Sequence, residues 1–291
     1  MAADYPFMWV DAFTDAAMGG NPCAVVFGAD GIPVETRIAY VRETGLVECA
    51  YLQRSEKADF GARYYMASKE ILLAGHPTIA TCAALERAGL LTGRDSFTLE
   101  VGAGVIPVDI TRGKGSTVFT MTQFAPTFGR EYPPAEIAAL LGLAQGDILG
   151  TPQTVSTGTA FCVTRLASHD ALRRAKLDLE AFASYQPATD FNEPFLCVTE
   201  GFTGAGDTSA RMMMAPPLPA EDPFTGSATG CMACYLWAKG LIGTPRFVAE
   251  QGHWMARPGQ AAVEVLGPRD GITGVRVGGS GVVLMDGTVR L

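Results

Sequence analysis

Basic residues are the scarce charge in this chain. Twenty-two Lys and Arg stand against 30 Asp and Glu in 291 residues, a net charge of −8 at pH 7. Phosphate recognition is largely electrostatic and depends on clustered Lys and Arg. No such cluster occurs, which argues against nucleic acid or an anionic membrane surface as a partner. The chain also has no run of about 18 consecutive apolar residues, the length of a membrane-spanning helix. The start, Met1 to Trp9, carries Asp4 and Pro6 and no long apolar stretch, so a signal peptide is not expected. The seven cysteines are an odd number, scattered and mostly in apolar runs. They read as reduced core thiols of a cytoplasmic protein. Cys231 and Cys234 form one Cys-x-x-Cys inside an apolar helical run. The second pair needed for zinc is missing, so no metal is expected.

What the chain has in quantity is apolar side chains, 48% against 18% charged, enough for packed cores. Its length suggests two domains of roughly 100–200 residues. An internal repeat supports this number. Ala62-Arg63-Tyr64-Tyr65-Met66-Ala67 resembles Ala210-Arg211-Met212-Met213-Met214-Ala215, 148 positions on. Gly75-His76-Pro77-Thr78 matches Gly226-Ser227-Ala228-Thr229, 151 positions on. A Phe-x-x-Glu-x-Gly follows each, Phe97-Glu100-Gly102 and Phe247-Glu250-Gly252, 150 positions apart. A nearly constant offset over three successive elements points to a duplicated unit.

The unit has a readable shape. Residues 60–67, 97–101, 105–110, 160–166, 195–199 and 261–266 read as strands, several with period-two alternation. The segments after Gly75 and Gly226 read as helices that are apolar nearly all round, and such a helix must be buried all round. Gly89 and Gly240 suit their C-terminal ends, with Arg87 and Lys239 favourable beside the last carbonyls. The expected fold class is therefore α+β: two pseudo-symmetric halves, each a curved sheet or barrel wrapped around one central helix. Amphipathic helices near residues 33–44 and 134–141 would cover the outside. The stretch 124–134, with three prolines, reads as a crossover. The halves are placed at 1–124, with the last strand near 280–291 as an optional addition, and 125–279.

The candidate chemistry gathers at the two central helices. Helix N-termini present unpaired N–H groups that bind carboxylate or phosphate, and glycine permits close approach. Gly75 and Gly226 open the two helices, and His76 and Ser227 hold equivalent positions as side-chain donors. Related by duplication, the two N-termini are expected to face one cleft between the halves and hold one small anion. Plain helix capping by Thr78 and Ser227 is the competing reading. Glu48 is a lone carboxylate in the apolar run Leu46-Val47-Glu48-Cys49-Ala50-Tyr51-Leu52. Burial there would raise its pKa and suit it to take and return a proton; an edge-strand glutamate facing water is the alternative. Glu43 follows Arg42 in an amphipathic stretch and reads as a solvated charge. Asp222 lies just ahead of the second helix, either capping its turn or binding polar groups of a ligand.

Four motifs, in order, make the chain similar to a known family. Asp11-Ala12-Phe13-Thr14, Gly20-Asn21-Pro22-Cys23-Ala24-Val25-Val26, Gly75-His76-Pro77-Thr78 and Glu221-Asp222-Pro223-Phe224-Thr225-Gly226-Ser227-Ala228 resemble the PhzF-like phenazine-biosynthesis isomerases across roughly residues 11 to 260. The resemblance implies the diaminopimelate-epimerase fold, no cofactor and a homodimer. It implies a reaction like the isomerisation of trans-2,3-dihydro-3-hydroxyanthranilate, with a glutamate as acid–base. Leu46-Val47-Glu48-Cys49 matches the family's Leu-Ser-Glu-Thr-like motif, which implies Glu48 as that base and Gly75, His76, Asp222, Gly226 and Ser227 around the substrate. Val47, Cys49 and Pro77 depart from the usual residues and bear on the identity of the substrate. Racemases and epimerases of the same fold carry a cysteine before each helix-opening glycine. Here Ala74 and Thr225 stand there, and Cys82 and Cys231 lie deeper, as buried thiols of high pKa. A racemase and a non-enzymatic small-molecule binder are the alternatives.

Overall fold

The computed structural model describes residues 3–113 and 115–291. The chain divides into two compact units, Met1–Thr122 with Gly278–Leu291, and Gln123–Val277. The first unit runs β1 (Asp4–Ala12), β2 (Asn21–Val26), α1 (Val34–Thr44), β3 (Glu48–Gln53), β4 (Phe60–Met66), β5 (Glu70–Ile71), α2 (Gly75–Arg87), β6 (Ser96–Val101), β7 (Gly104–Arg112) and β8 (Thr117–Gln123), whose last residue, Gln123, already belongs to the second unit. The second runs β9 (Thr127–Glu131), α3 (Pro134–Leu140), β10 (Gln153–Ser156), β11 (Ala160–Arg165), α4 (His169–Arg174), α5 (Leu179–Tyr185), β12 (Glu193–Val198), β13 (Thr208–Met213), β14 (Glu221–Asp222), α6 (Gly226–Ala238), β15 (Arg246–Gln251), β16 (Gly259–Leu266) and β17 (Gly274–Gly279). Finally β18 (Gly281–Arg290) returns to the first unit and pairs antiparallel with β1.

Each unit has the same connectivity. β2 and β3 pair parallel, β3 with β4 and β4 with β5 antiparallel, β4 with β6 parallel, and β6 with β7 antiparallel. In the second unit β11 to β16 repeat that series term for term. The central helix falls at the same point of each series, between the two-residue strand and the next long one. Registers repeat as well: Gly61 opposes Glu100 in one parallel pair and Ser209 opposes Glu250 in the other. Side-chain contacts follow suit. Ser55 donates to Glu100 at 2.5 Å, and Thr203 to Glu250 at 2.5 Å. Arg63 pairs with Glu70, and Arg211 with Glu221.

The central helices are buried as their composition requires. From Gly75 to Leu85 every residue of α2 is buried, and from Gly226 to Leu236 every residue of α6. The first packs on β1, β2, β3 and β18, the second on β10, β11, β12 and β16. Both end in a Schellman motif. Leu90 N–H donates to Leu85 O at 3.0 Å and Gly89 N–H to Glu86 O at 2.9 Å; Leu241 and Gly240 do the same to Leu236 and Trp237. Gly89 and Gly240 supply the required left-handed residue, at φ 75° and 69°. On the outside, α1 and α3 occupy the segments read as amphipathic. One expectation needs correcting. The proline-rich stretch 124–134 is not only a crossover, because β9 lies within it and pairs antiparallel with β10. All five residues of β9 are exposed, so it shows no apolar alternation to read.

Candidate active site

Each unit carries one buried helix N-terminus, and its distinctive side chains collect there. In the first unit the chain enters α2 through Ala74, in extended backbone, and no Ala74 side-chain bond caps the turn. Gly75, His76 and Pro77 form the first turn, which carries the positive end of the helix dipole. Thr78 does not cap it either: its hydroxyl donates backwards to Ala74 O at 2.6 Å and also meets the Tyr64 hydroxyl at 2.9 Å. Beside this turn β3 begins at Glu48, opposite Met66 of β4. The buried neighbours Val47 and Cys49 flank it, and the Glu48 side chain is 15% exposed.

Glu48 Oε2 lies 3.7 Å from Nδ1 of His76, whose side chain is 2% exposed. Such a pair reads at first as a salt bridge. Burial, however, pushes the imidazole down to about 3, so it is neutral at physiological pH. The distance also exceeds a hydrogen bond. The contact is therefore a carboxyl group beside a neutral ring and not an ion pair between the two. The other ring nitrogen, Nε2, is buried without a hydrogen-bond partner. A neutral imidazole has one donor and one acceptor nitrogen, so His76 retains capacity for a ligand's polar group. Glu43, the nearby rival, is exposed in the last turn of α1.

In the second unit Thr225 leads into α6, again without a side-chain cap on the first turn. Its hydroxyl turns instead to Asp222 Oδ2, to which it donates at 2.5 Å. Asp222 lies on β14 opposite Met212 and is 2% exposed. Ser227, 5% exposed, occupies the second helical position, the place His76 takes in α2. Thus Glu48, Gly75 and His76 meet in one unit, and Asp222, Gly226 and Ser227 in the other. Burial pushes the thiol of Cys231 up to about 11 and raises that of Cys82, so neither is a thiolate near neutrality. Among the described residues no group of three or more His, Cys, Asp or Glu converges as a metal site.

Three buried polar residues were given no role from the sequence, although Asp11 heads one of the family motifs. Asp11 is buried and accepts from Met18 N–H at 2.7 Å, closing the loop that joins β1 to β2. Gln123 and Gln251 are each 2% exposed and bond to the backbone of the Asp222–Gly226 turn. Gln251 sits inside the repeated Phe-x-x-Glu-x-Gly, where the first copy has Val101. That difference between the copies was the available signal.

Comparison with known proteins bears on this geometry. A solved hydroxyproline epimerase from Agrobacterium vitis shares the fold, with a TM-score of 0.70 over 99% of this chain and 91% of that one, at 14% identity. A PhzF-family phenazine biosynthesis protein from Bacillus anthracis superposes with a TM-score of 0.87 over 99% of this chain and all of that one, at 26% identity. The trans-2,3-dihydro-3-hydroxyanthranilate isomerase of Pseudomonas fluorescens is 29% identical over 98% of this chain and 99% of its own. The class is thus an isomerase on the diaminopimelate-epimerase-like fold. The family model described as phenazine biosynthesis-like protein matches residues 10–287, and the chain belongs to that PhzC–PhzF family. No helix among the described residues is long and apolar enough to cross a membrane.

Proposed function

We propose that this protein is a cofactor-independent isomerase that moves a proton along a small unsaturated carboxylate, with Glu48 as the acid–base. The observation that carries the reading is the pairing of Glu48 with a neutral, buried His76 at an uncapped helix N-terminus. A neutral His76 does not hold the Glu48 carboxylate in an ion pair, and a substrate anion finds the amide donors of the α2 turn beside it. In this reading the Glu48 carboxylate removes a proton from a substrate carbon. The electron pair passes into the conjugated system, the double bond shifts, and the carboxylic acid returns the proton to another carbon. The atoms balance, and no other reactant is needed. Gly75 and His76 bind the substrate through the α2 turn. Asp222, Gly226 and Ser227 bind it through the α6 turn, Asp222 being suited to an amino or hydroxyl substituent.

The substrate proposed is of the class named by the Pseudomonas fluorescens relative, a cyclic dihydro-hydroxyanthranilate-like carboxylate. The chain acts as a homodimer in this proposal. Thiol-based racemisation finds no support, since Ala74 and Thr225 stand directly ahead of Gly75 and Gly226. General acid–base groups contribute about 10²–10⁴-fold. Glu48→Gln, assayed on trans-2,3-dihydro-3-hydroxyanthranilate, is expected to lose about that much in kcat while still binding. Glu43→Gln is expected to stay within about twofold of the parent. Unimpaired turnover by Glu48→Gln would refute the assignment.

A further inference from the structure

The repeated Phe-x-x-Glu-x-Gly contains none of the residues proposed to touch the substrate, yet it underlies both helix N-termini. In the first unit Gly102 closes on Leu72, three residues ahead of α2. A Cβ on Gly102 would stand 3.0 Å from Leu72 Cα, and Ala103 N–H donates to Leu72 O at 2.8 Å. In the second unit Gly252 closes on Pro223, three residues ahead of α6. A Cβ there would stand 2.6 Å from Pro223 O and would overlap Arg257 O, at a φ of +87°. The two copies cradle equivalent turns and differ in the residue before the glycine, Val101 against Gln251.

Gln251 spans its turn from end to end. Its Oε1 accepts from Thr225 N–H at 3.0 Å, while Nε2 donates to Asp222 O at 2.7 Å and approaches Thr225 Oγ1 at 3.3 Å. A backbone N–H can only donate, so the amide oxygen must face Thr225 N and the NH₂ must face the two oxygens. With Nε2 donating to the Thr225 hydroxyl, the hydroxyl proton is directed to Asp222 Oδ2. Gln251 thereby sets the orientation of the Asp222 carboxylate through Thr225. From the other flank Gln123 Nε2 donates to Gly226 O at 3.0 Å, and its Oε1 accepts from Thr157 at 2.7 Å. The α6 turn is held by side-chain amides on both sides.

We propose that Gln251 is a positioning residue of the isomerisation, fixing the Asp222 carboxylate and the Thr225–Gly226 backbone against the substrate through the Thr225 hydroxyl. The proposal rests on the reading that Asp222, Gly226 and Ser227 bind the substrate. Loss of a buried hydrogen-bond partner weakens what depends on it by roughly 5- to 150-fold.

The test uses Gln251→Leu and Gln251→Glu, with trans-2,3-dihydro-3-hydroxyanthranilate as the probe. Gln251→Leu is expected to lower kcat/KM about 10- to 100-fold. In the non-turning Glu48→Gln background it should weaken probe binding about as much. Gln251→Glu retains the acceptor for Thr225 N–H but donates only when protonated. Its kcat/KM relative to the parent should rise as pH falls. A folded Gln251→Leu with parental kinetics overturns the proposal, and so does a flat pH ratio for Gln251→Glu if Gln251→Leu fails to fold. Full turnover by Glu48→Gln, or no binding of the probe by the parent, would instead strike the underlying functional reading. A crystal structure of either Gln251 variant then decides the positioning separately. Loss of the Thr225–Asp222 contact supports it, and retention at 2.5 Å overturns it.

Discussion

At the scale of single residues the decisive pair is Glu48 and His76. Glu48 was legible in the sequence as the one charge within an apolar run. The state of His76 was not, because it depends on burial from elements distant in sequence. That state has a measurable consequence. The native imidazole titrates at about 3, against 6.5 for the unperturbed group. Between these values the unfolded chain takes up a proton that the native protein refuses. His76 therefore costs stability as pH falls below about 6.5, by up to about 1.4 kcal/mol per pH unit until about pH 3. Urea unfolding of the parent and of His76→Gln at pH 7 and pH 5 should show the parent losing about 2 kcal/mol more than the variant over that interval. Equal losses would mean that the native histidine is protonated and that the pair is an ion pair after all.

At the scale of elements the two central helices behave as their composition demands, but their interiors are not interchangeable. Gly230 lies inside α6, where glycine usually weakens a helix by about 0.5–1 kcal/mol relative to alanine. Gly230→Ala would be stabilising on that ground alone. Here a Cβ would overlap Oε1 of Gln123 and stand 3.0 Å from Val275 Cγ1. Displacing Gln123 breaks its bonds to Gly226 and Thr157, each worth about 1 kcal/mol. The expected outcome is a net destabilisation of about 1–3 kcal/mol in thermal or urea unfolding. A gain in stability would show that Gln123 moves without cost and is no clamp. The sequence marked both helices to the residue at their glycine starts, because apolar-all-round segments and Gly-led turns are local signals. It did not mark β9, whose residues are exposed, nor the glutamine clamps. Those arise only when Gln123 and Gln251, over a hundred residues apart, meet the same turn.

At the scale of the molecule the duplication is both the most legible feature and the most informative. The offsets seen between the two copies reappear as strand registers and as paired side-chain contacts. Against that common frame the copies differ at the helix starts. The first has Glu48 and His76, and the second has Asp222, Ser227 and the glutamine-held turn. The chemistry is read from these differences. The first unit is also discontinuous, completed by β18 pairing along β1 from Asp4–Arg290 to Ala12–Gly281. Removing residues 281–291 would strip one wall from α2, which packs on β18. Such a truncation is expected to abolish the parental thermal transition of that unit, as followed by circular dichroism. An unchanged transition would make β18 an accessory strand.

Glu48 is proposed to carry a proton between substrate carbons. Incorporation of deuterium from D₂O into trans-2,3-dihydro-3-hydroxyanthranilate and its isomer, followed by mass spectrometry, tests it most directly. The parent protein is expected to place deuterium on carbon, since the partly exposed Glu48 exchanges its proton with solvent. Glu48→Gln should do so at least about 100-fold more slowly while binding the compound. Labelling by Glu48→Gln at the parental rate would contradict the claim.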